Sequence, residues 1–197
     1  MRFIFATLFL ITSTAQAGTV AHYATHIMNA DTTVSASDIT PQSDEAHHWW
    51  VIRDEYRVEF RSGDGETSEI WMKESDGFSL IRVFRPSQRA VHYTPSDLRA
   101  LNVKPDWPAL RRLEEPGTEV LAWDDNSGLP AKRKKHRGSS TFIDTMKETW
   151  PMAGAPQQPT DLSQLYVMDF SDLGDNEADP FFRQFIHMGP VQHHHAH

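Results

Sequence analysis

Polar and apolar residues alternate along much of the chain, and the period is two. Between Tyr56 and Arg61 the residues Tyr56, Val58 and Phe60 interleave with Arg57, Glu59 and Arg61, a strand with one dry and one wet face. Trp49 to Arg53, Thr67 to Lys73, Phe78 to Arg85 and Arg89 to Thr94 are also expected as strands. Gly63-Asp64-Gly65, Ser75-Asp76-Gly77 and Pro86-Ser87-Gln88 separate them as turns. His47 to Leu98 is therefore expected to be a meander of hairpin-linked antiparallel strands.

The period changes at Thr94-Pro95-Ser96-Asp97-Leu98, where Thr94 or Ser96 can cap a helix carrying Leu98 and Leu101 on one face. A second short helix is expected from Asp106, with Pro108 in its first turn and Leu110 and Leu113 inward. Strands resume at Glu119 to Trp123, Leu129 to Arg137 and Ser140 to Trp150. Pro151 to Pro159 reads as a linker, and Gln164 to Phe170 as a last strand. Pro180 to Met188 can form a short amphipathic helix.

Val20 to Met28 admits two geometries. As a strand it sets His22 and His26 about 13 Å apart, too far to share a metal. As a helix the pair would lie about 6 Å apart on one face, the spacing a metal site needs. Its β-branched and aromatic residues favour the strand. The whole pattern predicts a mainly β (α+β) fold, a curved antiparallel sheet or incomplete barrel with two or three short helices covering it. One globular domain is expected over 18–188, followed by a flexible His-rich tail over 189–197.

Composition adds an address. Arg2, the apolar run Phe3 to Ile11 and Ala15-Gln16-Ala17 make a secretory signal over 1–17, with cleavage expected after Ala17. That run is shorter than the roughly 18 residues a membrane helix needs, so no anchor is expected to remain and the mature protein is expected in the periplasm or outside the cell. A formal net charge of −8 argues against nucleic acid as a partner. Zero cysteines exclude disulfides and thiolate chemistry.

Candidate chemistry lies in the histidines, of which there are eleven. His193, His194, His195 and His197 offer four imidazole donors for zinc or copper, with His187, His22 and His26 as weaker candidates. A solvated tail that binds metal only loosely is the simpler alternative. His47 and His48 could join such a site, but they also suit the start of a strand ahead of Trp49 and Trp50. His92 reads as an ordinary buried histidine. The acidic run from Asp169 to Asp179 lacks calcium-loop spacing and reads as solvated turn residues. Lys132 to Arg137 is a basic patch, most simply a charged edge strand that resists aggregation. No Gly-x-Ser-x-Gly, His-Glu-x-x-His, Gly-x-Gly-x-x-Gly or phosphate-loop motif occurs, and no catalytic residue is nominated.

Glu69-Ile70-Trp71-Met72-Lys73, then Asp76-Gly77, then Val91-His92-Tyr93, follow an order that resembles periplasmic lipoprotein-carrier and lipoprotein-sorting proteins. The resemblance implies a half-barrel with helices over its mouth, an apolar cavity for acyl chains and no catalytic residues. It supplies no counterpart to the arginine given an acyl-release role in the carriers, and the His-rich tail departs from the pattern. The expected function is thus an exported non-catalytic carrier of an apolar ligand, lipid or lipoprotein acyl chain. Trp49, Tyr56, Val58, Phe60, Trp71, Met72 and Phe84 are the candidate cavity lining. The alternatives are a transition-metal binding or delivery protein and an envelope interaction module with a protein partner.

Overall fold

A computed structural model of the chain describes residues 18–29, 46–176 and 178–181. The signal expected over 1–17, residues 30–45, most of the segment expected to form a helix over 180–188 and the terminal histidines lie outside the described residues. Among those described, no helix is long and apolar enough to cross a membrane.

Among the described residues ten strands form one sheet: β1 (Thr19–Asn29), β2 (His47–Arg53), β3 (Arg57–Ser62), β4 (Thr67–Lys73), β5 (Phe78–Phe84), β6 (Arg89–Tyr93), β7 (Thr118–Asp124), β8 (Leu129–Arg137), β9 (Ser140–Pro151) and β10 (Tyr166–Asp169). The order is β10-β6-β5-β4-β3-β2-β1-β9-β8-β7, mainly β and not closed into a barrel. The meander is observed as expected, and the first segment is a strand rather than a helix. Pairing is antiparallel throughout except that β10 runs parallel to β6, which makes the sheet mixed.

Two helices lie between the two runs of strands. In α1 (Pro95–Ala100) Thr94 is the cap: its side chain accepts from the Asp97 N–H while Asp97 accepts from the Thr94 N–H, a complete capping box. In α2 (Trp107–Arg112) Asp106 accepts from the Ala109 N–H, and Leu113 ends the helix in a left-handed conformation at φ 59°. Leu98, Trp107, Leu110 and Leu113 turn onto one face of the sheet. There they join Ala21, Tyr23, Trp49, Val51, Val58, Phe60, Trp71, Leu80, Val91, Tyr93 and Leu129 in the largest apolar cluster.

The opposite face is not the solvated one that the alternation in β3 predicts. Residues 152–165 run across it, seating Leu162 and Leu165 on Ile70, Ile81, Val83 and Ala90, and Met152 and Ala155 on Val20 and Ile52. Beneath this strap Glu59 is fully buried. Its carboxylate accepts from Arg57 and Arg61 at 2.6 Å each, and from the Thr160 N–H at 2.9 Å and hydroxyl at 2.5 Å. Burial alone would push the Glu59 carboxyl up, but Arg61, the two Thr160 hydrogen bonds and Arg57 outweigh it and hold it below the usual range.

The basic patch needs a second correction. β8 is not an edge, because it lies between β9 and β7. Arg133 within it is buried, donating to Asp144 at 2.7 Å and to the Leu113 carbonyl at 2.9 Å, while Lys134 pairs with Glu119 at 3.0 Å. Paired charges let a lysine- and arginine-rich strand sit inside a sheet.

Candidate functional site

Of the seven residues expected to line a cavity, Trp49, Val58, Phe60 and Trp71 converge in the cluster under α1 and α2. Phe84 borders it, edge-on to Phe181 at 5.4 Å between ring centroids. Met72 points to the opposite face with Ile70, and Tyr56 is 58% exposed beside the β2–β3 turn. These four core side chains are packed against one another and against the helices.

A cleft of about 540 Å³ opens where this core reaches the surface beside α2. Arg53 at the end of β2, Arg111 and Arg112 in the last turn of α2, Trp107, Pro108, Trp123, Asp124, Asp125 and Gly128 line it. Trp107 belongs to both the cleft and the core. Local sequence explains the placement: Asp106 and Pro108 start the helix so that its final turn presents two arginines, and Gly128 closes the β7–β8 turn at φ +63°.

Three guanidiniums line the cleft together with the carboxylates of Asp124 and Asp125. Arg53 bridges α2 and the β7–β8 turn, donating to the carbonyls of Arg111 and Ser127. Burial, then the charge of Arg111, push its pKa down to about 10; Tyr23 acts the other way and Arg112 lowers it further. Nε of Arg111 is buried without a hydrogen-bond partner. Arg112 pairs with Glu114 at 3.2 Å and lies 4.7 Å from the Trp123 ring centroid, a cation–π contact. Asp124 is turned inward, accepting from the Ser127 N–H at 2.8 Å and hydroxyl at 2.5 Å. Guanidinium forks beside indole faces suit an anionic group attached to an apolar body. None of the residues lining this cleft is Ser, Thr, Cys or His.

The histidines divide. His187, His193, His194, His195 and His197 lie outside the described residues. Since β1 is a strand, His22 and His26 cannot share a metal as a helical pair, and Nδ1 of His26 is buried without a partner. His22 instead meets a histidine from the neighbouring strand: its Nε2 is 3.0 Å from Nδ1 of His48. His92 is not fully buried, and its Nδ1 is 2.9 Å from Asp169. No group of three metal-ligating side chains comes together among the described residues.

Neither the cleft nor the histidine pair was expected from sequence, because Arg53, Trp107, Arg111 and Trp123 are brought together only by the fold. The Trp-Pro-x-x-Arg-Arg order of α2 is the one local trace of it. No protein-family model and no curated protein matches this chain.

Proposed function

We propose that this is an exported, non-catalytic carrier of amphiphilic ligands. An acyl chain is held against the apolar face beneath α1 and α2, and the anionic end of the ligand is held by Arg53, Arg111 and Arg112. The carrying observation is the continuity at Trp107 between an arginine-lined cleft and the largest apolar cluster. Each methylene withdrawn from water contributes about 0.8 kcal/mol, so a long chain supplies ample affinity even after ordering costs. The guanidiniums would then select which chain ends are accepted. Uptake requires α1 and α2 to lift, and the apolar contacts that Leu98, Trp107, Leu110 and Leu113 give up are replaced by contacts with the acyl chain. Arginine and tryptophan dominate the cleft, which has no hydroxyl, thiol or imidazole, and the Asp124 carboxylate is engaged by Ser127; this supports holding a ligand over transforming it.

The test is titration of delipidated protein with lysophosphatidylglycerol below its micellar concentration, read by tryptophan fluorescence. One saturable site is expected, weakened at least tenfold by Arg111→Gln and bound more weakly by an uncharged monoacylglycerol. Absence of saturable binding, or equal affinity for both lipids, overturns the reading.

A further inference from the structure

The outer face of β1 and β2, away from the cleft and the helices, carries a row of aromatic rings. Trp50 stacks on Trp150 at 5.7 Å and on His22 at 4.4 Å, and His22 in turn stacks on His48 at 5.0 Å between centroids. His48 is exposed and His22 half-buried. Strand register explains the row: His22 is opposite Trp50, and His48 lies two residues along β2 on the same face.

We infer that His22 and His48 form a two-histidine site for a borderline divalent transition ion, zinc or copper(II), on the sheet face opposite the helices. Nε2 of His22 and Nδ1 of His48 point at one another across 3.0 Å. Two metal–imidazole bonds of 2.0–2.1 Å, meeting at roughly 90–110°, separate their nitrogens by about 2.9–3.4 Å. The separation is thus that of a chelate: a cation enters when the exposed His48 ring turns so that both lone pairs converge on one point, and the ring that donates the shared proton shifts it to its other nitrogen, leaving both imidazoles neutral.

Other features fit a ligating role. Stacking on Trp50 fixes the plane of the His22 ring, so less rotamer freedom remains to be lost on binding. The β1–β9 pairing steps past Lys147: Tyr23 is opposite Met146, while His22 is opposite Glu148. This irregularity places a carboxylate-bearing residue beside His22 on the histidine face, where its charge offsets that of an arriving cation. Soft sulfur ligands are absent from the whole pair, and imidazole suits zinc and copper(II) over calcium or magnesium. Water completes the coordination, since no third protein donor converges among the described residues.

The test uses the full chain carrying His193→Gln, His194→Gln, His195→Gln and His197→Gln, which removes the terminal imidazoles from the reckoning. Calorimetric titration with zinc chloride is expected to give one ion per chain. Adding His48→Gln, at an exposed position, or His22→Gln should weaken binding at least tenfold, whereas His136→Gln should leave it unchanged. Substoichiometric copper(II) should selectively broaden the imidazole NMR signals of His22 and His48. No binding by the parent, unchanged affinity in His48→Gln, or broadening confined to other histidines would overturn the inference.

Discussion

Glu59 is a single residue on which one whole face depends. It accepts hydrogen bonds from two arginines of its own strand and from both donors of Thr160, about one hundred residues away. Glu59→Gln removes the charge while keeping the shape, and leaves Arg57 and Arg61 with no buried counter-charge. We expect a loss of about 3–5 kcal/mol, read from urea unfolding. The sign of the pH dependence follows. Because the folded carboxyl titrates below its ordinary 4.5, its contribution is fully present above that value and is lost as pH falls through the lower, folded pKa. Stability curves of the wild type and Glu59→Gln should converge on acidification; parallel curves would show that another group governs acid unfolding. Gly63 is a smaller case. A Cβ there would sit 2.4 Å from the His48 carbonyl oxygen, so Gly63→Ala should destabilise by about 1–3 kcal/mol and disturb the pairing of His22 with His48.

Among elements, α1 and α2 are the ones whose fastening bears on ligand entry. Each spans six residues, too short to persist without caps and tertiary contacts. Thr94→Ala dismantles the capping box and should cost about 1 kcal/mol in thermal or urea unfolding. If the helices are the roof of a ligand site, the same change should speed lipid uptake in stopped-flow fluorescence; an unchanged rate with lowered stability would dissociate the roof from uptake. The helices were readable from Thr94-Pro95 and Asp106-Trp107-Pro108, and the strands from alternation, because those signals are local. Which faces are wet was not readable. Arg57, Glu59 and Arg61 looked solvent-facing because the strap that covers them comes from residues 152–165, and β8 looked like an edge because its partners β7 and β9 are set by the topology. The cleft escaped for a related reason, its arginines coming from β2 and from α2.

At the scale of the molecule the sheet separates two kinds of surface. One face is roofed by helices and opens at an arginine cleft; the other is strapped down by 152–165 and carries the His22–His48 pair. The two proposed sites lie on opposite faces, so their ligands should bind independently. Zinc is expected to leave lysophosphatidylglycerol affinity unchanged within twofold, and a larger shift would reveal coupling across the sheet.

The position of β1 also decides when this protein can fold. The first strand of the described chain is an interior strand, hydrogen-bonded to β2 on one side and, over Thr19 to Asn29, to residues 140–151 on the other. During synthesis its second flank waits for more than a hundred further residues, and β6 waits, over a shorter stretch of chain, for β10. Long-range pairing of this kind is slow, with refolding expected on the millisecond-to-second scale. A chain that is still incomplete keeps an open, apolar edge. For a polypeptide threaded unfolded through a membrane that delay is an advantage, and for one detained before export it is an invitation to pair with its neighbours.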